Sequence, residues 1–263
     1  CSKSQKIVRI GSLIASLFNM IKYHGLPITP ASAAIKAISG GHAFVSYAHA
    51  DQLPIAVEVS QSFAIDNGAF SAWKAGNPVK DWSKFYDWAK QCEKIPSCDF
   101  AVIPDVIDGG EEENDALINE CPLPRWFSAP VWHMHESIER LVNLATCFPR
   151  VCIGSSGEFS VVGDQRWWVR IAQAMNAVCD DQGRPWVKLH GLRMLNPRVF
   201  SKIPFSSADS TNIGRNVGID VHWKGTYSPT NKDVRAMILR ERVESHNAPS
   251  IWTDFTQRQE NLI

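Results

Sequence analysis

The sequence predicts a single-domain (β/α)8 TIM barrel over residues 1–263, an α/β fold, on three observations. Short apolar runs rich in β-branched and aromatic residues alternate with longer stretches of helical period, the pattern of βα units feeding a parallel sheet. Eight such runs fit into 263 residues, the strand number and approximate length of a closed barrel. An apolar fraction of 44% with ten tryptophans is enough for one large core. A doubly wound open sheet is the alternative. No Gly-x-Gly-x-x-Gly or Walker loop appears to support a nucleotide-cofactor reading.

The expected strands, in order, are KIVRI at 6–10, AFVSY at 43–47, SFAI at 62–65, DFAVIP at 99–104, SAPVW at 128–132, RVCI at 150–153, WVKLH at 186–190 and PFSSA at 204–208. Helical spacing falls between them at 12–23, 30–38, 81–92, 111–119, 136–146 and 164–179, and again at 233–244 after the last strand. Asp81 and Asp164 suit N-caps. Residues 214–231, with Gly218, Gly225 and Pro229, read as a long loop, and loops of that size are often functional.

Composition narrows the function classes. There is no apolar run of about 18 residues and no signal-peptide pattern, so a soluble, cytoplasmic protein with no membrane contact is expected. Seven cysteines at 1, 92, 98, 121, 147, 152 and 179 form no CxxC pair, which favours reduced thiols and disfavours a zinc site. His133-Met134-His135 would point two rings the same way from a strand with no evident third ligand, so no metal and no cofactor are expected. Lys and Arg balance Asp and Glu at 27 each. Residues 99–120 hold eight acids and no Lys or Arg, whereas residues 184–242 hold eleven bases against four acids. That basic excess suits either a solvated surface or a phosphate backbone.

In a barrel, the residues after each strand form one rim. They are Asp66-Asn67-Gly68-Ala69-Phe70, Asp105, His133-Met134-His135, Gly154-Ser155-Ser156-Gly157-Glu158, His190-Gly191 and Asp209-Ser210. Each has a plain reading: Asp66-Asn67-Gly68 as a hairpin turn, Asp105 as a cap, Gly154 to Gly157 as a tight turn, His190 as a satisfied core histidine. Together, several carboxylates at strand ends are costly without a ligand or base to pair with. Carboxylates without metal suit glycosyl chemistry, one attacking the anomeric carbon and another moving the proton. Phe70 and His190 would hold a planar base, and Asp105 would accept the N–H donors of a guanine-like edge.

At these residues the chain resembles the guanine transglycosylase superfamily of the queuine and archaeosine type, which exchanges guanine for a 7-deazaguanine. Asp66-Asn67-Gly68-Ala69-Phe70 resembles the family's Asp-Ser-Gly-Gly-aromatic segment, and Asp209 with Gly214-Arg215-Asn216 resembles its nucleophile segment. The resemblance implies a covalent nucleophile at Asp209, a general acid/base at Asp66 and a base-pocket wall at Phe70. It implies a guanine-edge reader at Asp105, a second base contact at His133, and a base-binding turn at Gly154, Ser155 and Ser156. It further implies a stacking wall and backbone contact at His190 and Gly191. Phosphate contacts are expected from Arg193, Arg198, Lys202, Arg215 and Asn216.

The tRNA-acting members carry a Cys-x-Cys-x2-Cys plus His zinc subdomain after the nucleophile, whereas here no cysteine follows Cys179. A compact, zinc-free form looks more like the DNA-modifying, DpdA-like branch found in bacteria and phages. That resemblance implies exchange of guanine in DNA, flipped or single-stranded, with a free 7-deazaguanine base such as 7-cyano-7-deazaguanine (preQ0). A partner protein that presents DNA would fit the neutral net charge. A tRNA-acting enzyme, a nucleoside or N-glycoside hydrolase, and a non-catalytic nucleic-acid-binding barrel are the alternatives.

Overall fold

The computed structural model describes residues 19–218 and 229–253. Its elements run β1 (Ile21–Gly25), α1 (Ala31–Ile38), β2 (His42–Ser46), a 3-10 turn (Tyr47–Gln52), α2 (Leu53–Val59), β3 (Ser62–Asp66), α3 (Ala69–Lys74), α4 (Ser83–Cys92), β4 (Cys98–Val102) and α5 (Glu111–Glu120). There follow β5 (Ser128–Ala129), β6 (Val131–His133), α6 (Ile138–Cys147), β7 (Arg150–Gly154), α7 (Gln165–Val178), β8 (Lys188–Gly191), α8 (Pro197–Phe200), β9 (Ser207–Ser210), α9 (Asn212–Asn216) and α10 (Lys232–Glu244).

All strand pairs are parallel, in the order β5-β4-β3-β2-β1-β9-β8-β7-β6. The two ends of that order are one stretch of chain. Pro130 separates β5 from β6, because proline has no N–H for a ladder. β5 completes its pairing with β4, β6 begins pairing with β7, and the Pro130 carbonyl accepts from Cys152 N at 2.8 Å. The sheet therefore closes as an eight-position barrel, as the alternating sequence pattern predicts.

The first strand is not where the sequence pattern puts it. The expected strand at 6–10 lies outside the described residues. Ile21–Gly25, which overlaps the end of the expected helix 12–23, pairs with both β2 and β9. The reason is long-range: Tyr23 turns into the barrel, while Lys22 and His24 turn outward onto Glu244 of α10, at 3.5 and 2.9 Å. The expected loop at 214–231 is also shorter at its start, since residues 214–216 belong to α9 and residues 219–228 lie outside the described set. Asp164 caps α7 by accepting from Trp167 N at 2.8 Å. Asp81 accepts from Ser83 N at 2.9 Å, one residue ahead of the cap at Trp82.

Tyr23, Phe44, Ala64, Phe100, Val102, Ala129, Val131 and Cys152 come from seven strands and form the barrel interior. Around it the apolar layer under the helices divides in two. One part joins α1, α4 and part of α10 to β2 and β3, and includes Ile65; the other joins α6 and α7 to β6, β7, β8 and β9, and includes Ala208. Among the described residues no helix is long and apolar enough to cross a membrane.

Candidate functional site

Because every strand is parallel, all strand ends open onto one rim, and a cavity of about 290 Å³ lies there. Its floor and walls are made one strand at a time. β3 ends in Asp66, and Gly68 then takes φ +82°, which turns the chain directly into α3 rather than back into a hairpin. A side chain there would be strained by that φ and would bring its Cβ within 3.2 Å of Ala48 N. The turn is held by its own side chains: Asp66 Oδ2 accepts from Gly68 N at 3.0 Å and Asn67 Oδ1 from Ala69 N at 2.6 Å. Buried Asn67 also donates to Ile103 O at 2.9 Å and to Asp105 Oδ1 at 3.1 Å, tying the end of β3 to the loop after β4.

Asp105 meets a second element through its other oxygen. His133 Nε2, at the end of β6, lies 3.0 Å from Asp105 Oδ2. The strand end beneath His133 is anchored by Glu136, a buried carboxylate that accepts from His133 N at 2.8 Å, Arg140 at 2.6 Å and Asn114 at 3.0 Å. Gly154, at the end of β7, makes room for the imidazole: a Cβ would stand 3.2 Å from His133 Nδ1.

β9 delivers Asp209, only 3% exposed. Its Oδ1 accepts from Arg193 N at 2.8 Å and faces His190 Nε2 at 3.3 Å, whereas Oδ2 has no hydrogen-bond or ion-pair partner among the described residues. Arg193 is the single non-glycine residue of the described set with positive φ, at +58°. That backbone aims its N–H at Asp209 while its guanidinium lies 3.7 Å from the centroid of the Phe70 ring.

The charges set one carboxyl apart. Burial, then the negative charges of Asp105 and Asp209, push Asp66 up to about 7, against the pull of the Gly68 N–H and the nearby Ser46 hydroxyl. Polar satisfaction also fails locally. Among the described residues, two buried side-chain atoms at this cavity, Ser46 Oγ and His133 Nδ1, have neither a hydrogen bond of good geometry nor an ion-pair contact. Buried polar groups are normally paired, so these two leave room in the cavity for further polar contacts. Among the described residues no three His, Cys, Asp or Glu side chains converge in a way that could hold a metal ion.

Of the residues expected from sequence, Asp66, Phe70, Asp105, His133, Gly154, Ser155, Arg193, Asp209 and Arg215 line the cavity. The others do not. His190 is fully buried inside the barrel, its ring stacked on Phe44 at 5.3 Å, so it supports Asp209 from below and is no wall opposite Phe70. Gly191 is small because Phe205 and Met194 crowd it at 2.8 and 3.0 Å from a Cβ, a packing demand. Ser156 Oγ bonds His135 Nδ1 at 2.7 Å, away from the lining. Arg198 is exposed on α8, Lys202 lies over the Trp168 ring at 5.2 Å, and Asn216 donates to Asn212 at 2.5 Å. Sequence reasoning missed Ser46, His49 and Lys74 in the lining. Ser46 ends β2, so the same strand-end rule identifies it once the strand is placed; His49 and Lys74 carry no such signal.

The sequence matches no protein-family model and no curated protein at a significant level. Among solved structures it is similar to a Coccidioides immitis protein described as a fructose-1,6-biphosphate aldolase, at 12% identity and a TM-score of 0.51, over 93% of this chain and 97% of that one. A mutant tryptophan synthase alpha-subunit from Pyrococcus furiosus aligns at 10% identity and a TM-score of 0.49, over 86% and 96% of the two chains. At such identities the first likeness speaks to the barrel fold alone.

Proposed function

We propose that this chain is an enzyme, a base-exchange transglycosylase that replaces guanine in DNA with a free 7-deazaguanine through a covalent aspartyl–sugar intermediate. The observation that carries the reading is the pair Asp66 and Asp209 in one cavity under different control. Asp66 titrates near 7, so at neutral pH it can both give and take a proton. Asp209 is held at one oxygen by the Arg193 N–H, with the other oxygen open for attack.

In this reading Asp209 Oδ2 attacks C1′ of a deoxyguanosine and the bond to the base breaks, its electron pair leaving with guanine. Protonated Asp66 supplies the proton that guanine needs. The carboxylate so formed then takes the proton from N9 of the incoming 7-deazaguanine as that nitrogen attacks C1′ and releases Asp209. Phe70 offers the base the aromatic face that Arg193 does not cover, and Asp105, its Oδ1 already committed to Asn67, offers Oδ2 to an N–H edge beside His133. Arg193 and Arg215 at the cavity supply cations for flanking phosphates. Extruding a stacked guanine costs a few kcal/mol, so single-stranded or flipped sites are preferred.

The test offers labelled guanine and 7-cyano-7-deazaguanine to DNA and to tRNA in parallel, with Asp209→Asn and Asp66→Asn as controls. Label enters DNA in the wild type and in neither variant. Label in tRNA alone makes the substrate RNA, an abasic product makes the protein a hydrolase, and undiminished labelling by Asp209→Asn removes the nucleophile.

A further inference from the structure

We infer that Arg150, Ser207 and His190 form a hydrogen-bond chain inside the barrel that fixes His190 as its Nε2–H tautomer and aims that proton at Asp209 Oδ1, leaving Oδ2 as the reactive oxygen. The direction follows from the donor inventory. Arg150 has no acceptor, so its NH1 donates to Ser207 Oγ at 3.0 Å. Ser207 is fully buried, and its hydroxyl has one further partner among the described residues, His190 Nδ1 at 2.9 Å. Were Nδ1–H to donate to the second lone pair of Oγ, the buried hydroxyl proton would have no acceptor among the described residues; satisfying that proton sends it to Nδ1. A neutral imidazole that accepts at Nδ1 carries its proton on Nε2.

The surroundings keep the ring neutral and still. Tyr23, Phe44 and Phe100 surround it, with ring centroids 5.8, 5.3 and 5.2 Å away. Burial is the largest influence on its titration and lowers it, opposed by Asp209 and assisted by Arg150, the two charged groups that face it. At 3.3 Å the Nε2 to Oδ1 contact is longer than a good hydrogen bond, and such contacts commonly tighten when substrate arrives. Two donors, Arg193 N–H and His190 Nε2–H, thus converge on Oδ1 from β8 and the turn that follows it. His190 is a positioning residue that acts through Asp209, and this role rests on the proposed reaction only where turnover is measured.

Two-bond 1H–15N correlation spectra of the full chain read the tautomer directly, with His190→Gln identifying the His190 signals among those of eight histidines. The expected result is Nε2–H in the wild type and population of Nδ1–H in Ser207→Ala. Nδ1–H in the wild type, or an unchanged tautomer in Ser207→Ala, overturns the inference whatever the protein catalyses. For turnover, His190→Gln places a side-chain amide donor near the Nε2 position and retains the rate of covalent-intermediate formation within about fivefold, whereas His190→Leu loses on the order of 10- to 100-fold, as outer partners of reactive groups do. Equal loss in both variants, with both still folded, reduces His190 to packing. Failure of wild-type labelling with the tautomer as stated removes the transglycosylase reading and leaves the chain intact.

Discussion

At neutral and alkaline pH the Asp66 carboxylate costs the fold energy that an asparagine does not. Asp66→Asn keeps an acceptor for the Gly68 N–H and removes the charge that burial, Asp105 and Asp209 oppose. A carboxyl moved from 3.8 to about 7 holds its proton longer in the native state than in the unfolded chain. Stability therefore falls as pH rises between those values; the cost is absent below the lower one and complete above the upper. At 1.36 kcal/mol per pKa unit the full displacement corresponds to about 4 kcal/mol. Asp66 lines the cavity and is half-buried, and solvent screening there reduces the expected gain to on the order of 2 kcal/mol. For a domain of this size that raises Tm by about 4–8 °C. Calorimetric unfolding of wild type and Asp66→Asn at pH 4, 6 and 8 is the assay. The variant is expected to match the wild type at pH 4 and exceed it at pH 8. A variant less stable at pH 8, or a difference independent of pH, refutes the electrostatic account of Asp66.

Three further outcomes follow from the geometry. Asn67→Ala removes the bonds to Ile103, Asp105 and Ala69, and is expected to lower unfolding free energy in urea by about 2–4 kcal/mol. Glu136→Ala removes the 2.6 Å partner of Arg140, which keeps Asp115 at 2.8 Å, and unpairs the His133 N–H and the Asn114 amide, and should cost about 2–4 kcal/mol, read from the urea midpoint. Arg193→Gly keeps the N–H to Asp209 at a backbone angle that glycine tolerates, so it should be about 1 kcal/mol more stable than Arg193→Ala in the same measurement.

The rim was legible where a carboxylate directly follows an apolar strand: Asp66 after Phe63-Ala64-Ile65, Asp105 after Phe100 to Ile103, and Asp209 close after Phe205. Strand ends are local information, and the parallel fold converts it into convergence. Other features depend on distant partners. The β1 strand carries Lys22 and His24, which look wrong for a buried strand until Glu244, some 220 residues later, supplies a partner to both. His190 is read equally well as a wall of the cavity or a buried support; the register of β8 on β9, pairing His190 with Ser207, decides for the support. The positive φ of Arg193 has no sequence mark, because glycine is the residue that normally signals it.

Ile65 and Ala208, the neighbours of Asp66 and Asp209, belong to different halves of the divided apolar layer outside the barrel. Each carboxylate thus stands on its own foundation, and the gap between them is set by how the ring closes rather than by a short motif. A change of volume under α1 and α4 shifts one, and a change under α6 and α7 shifts the other. The spacing at the rim can then drift through substitutions that never face the cavity, which makes the outer shell the place where this site is retuned.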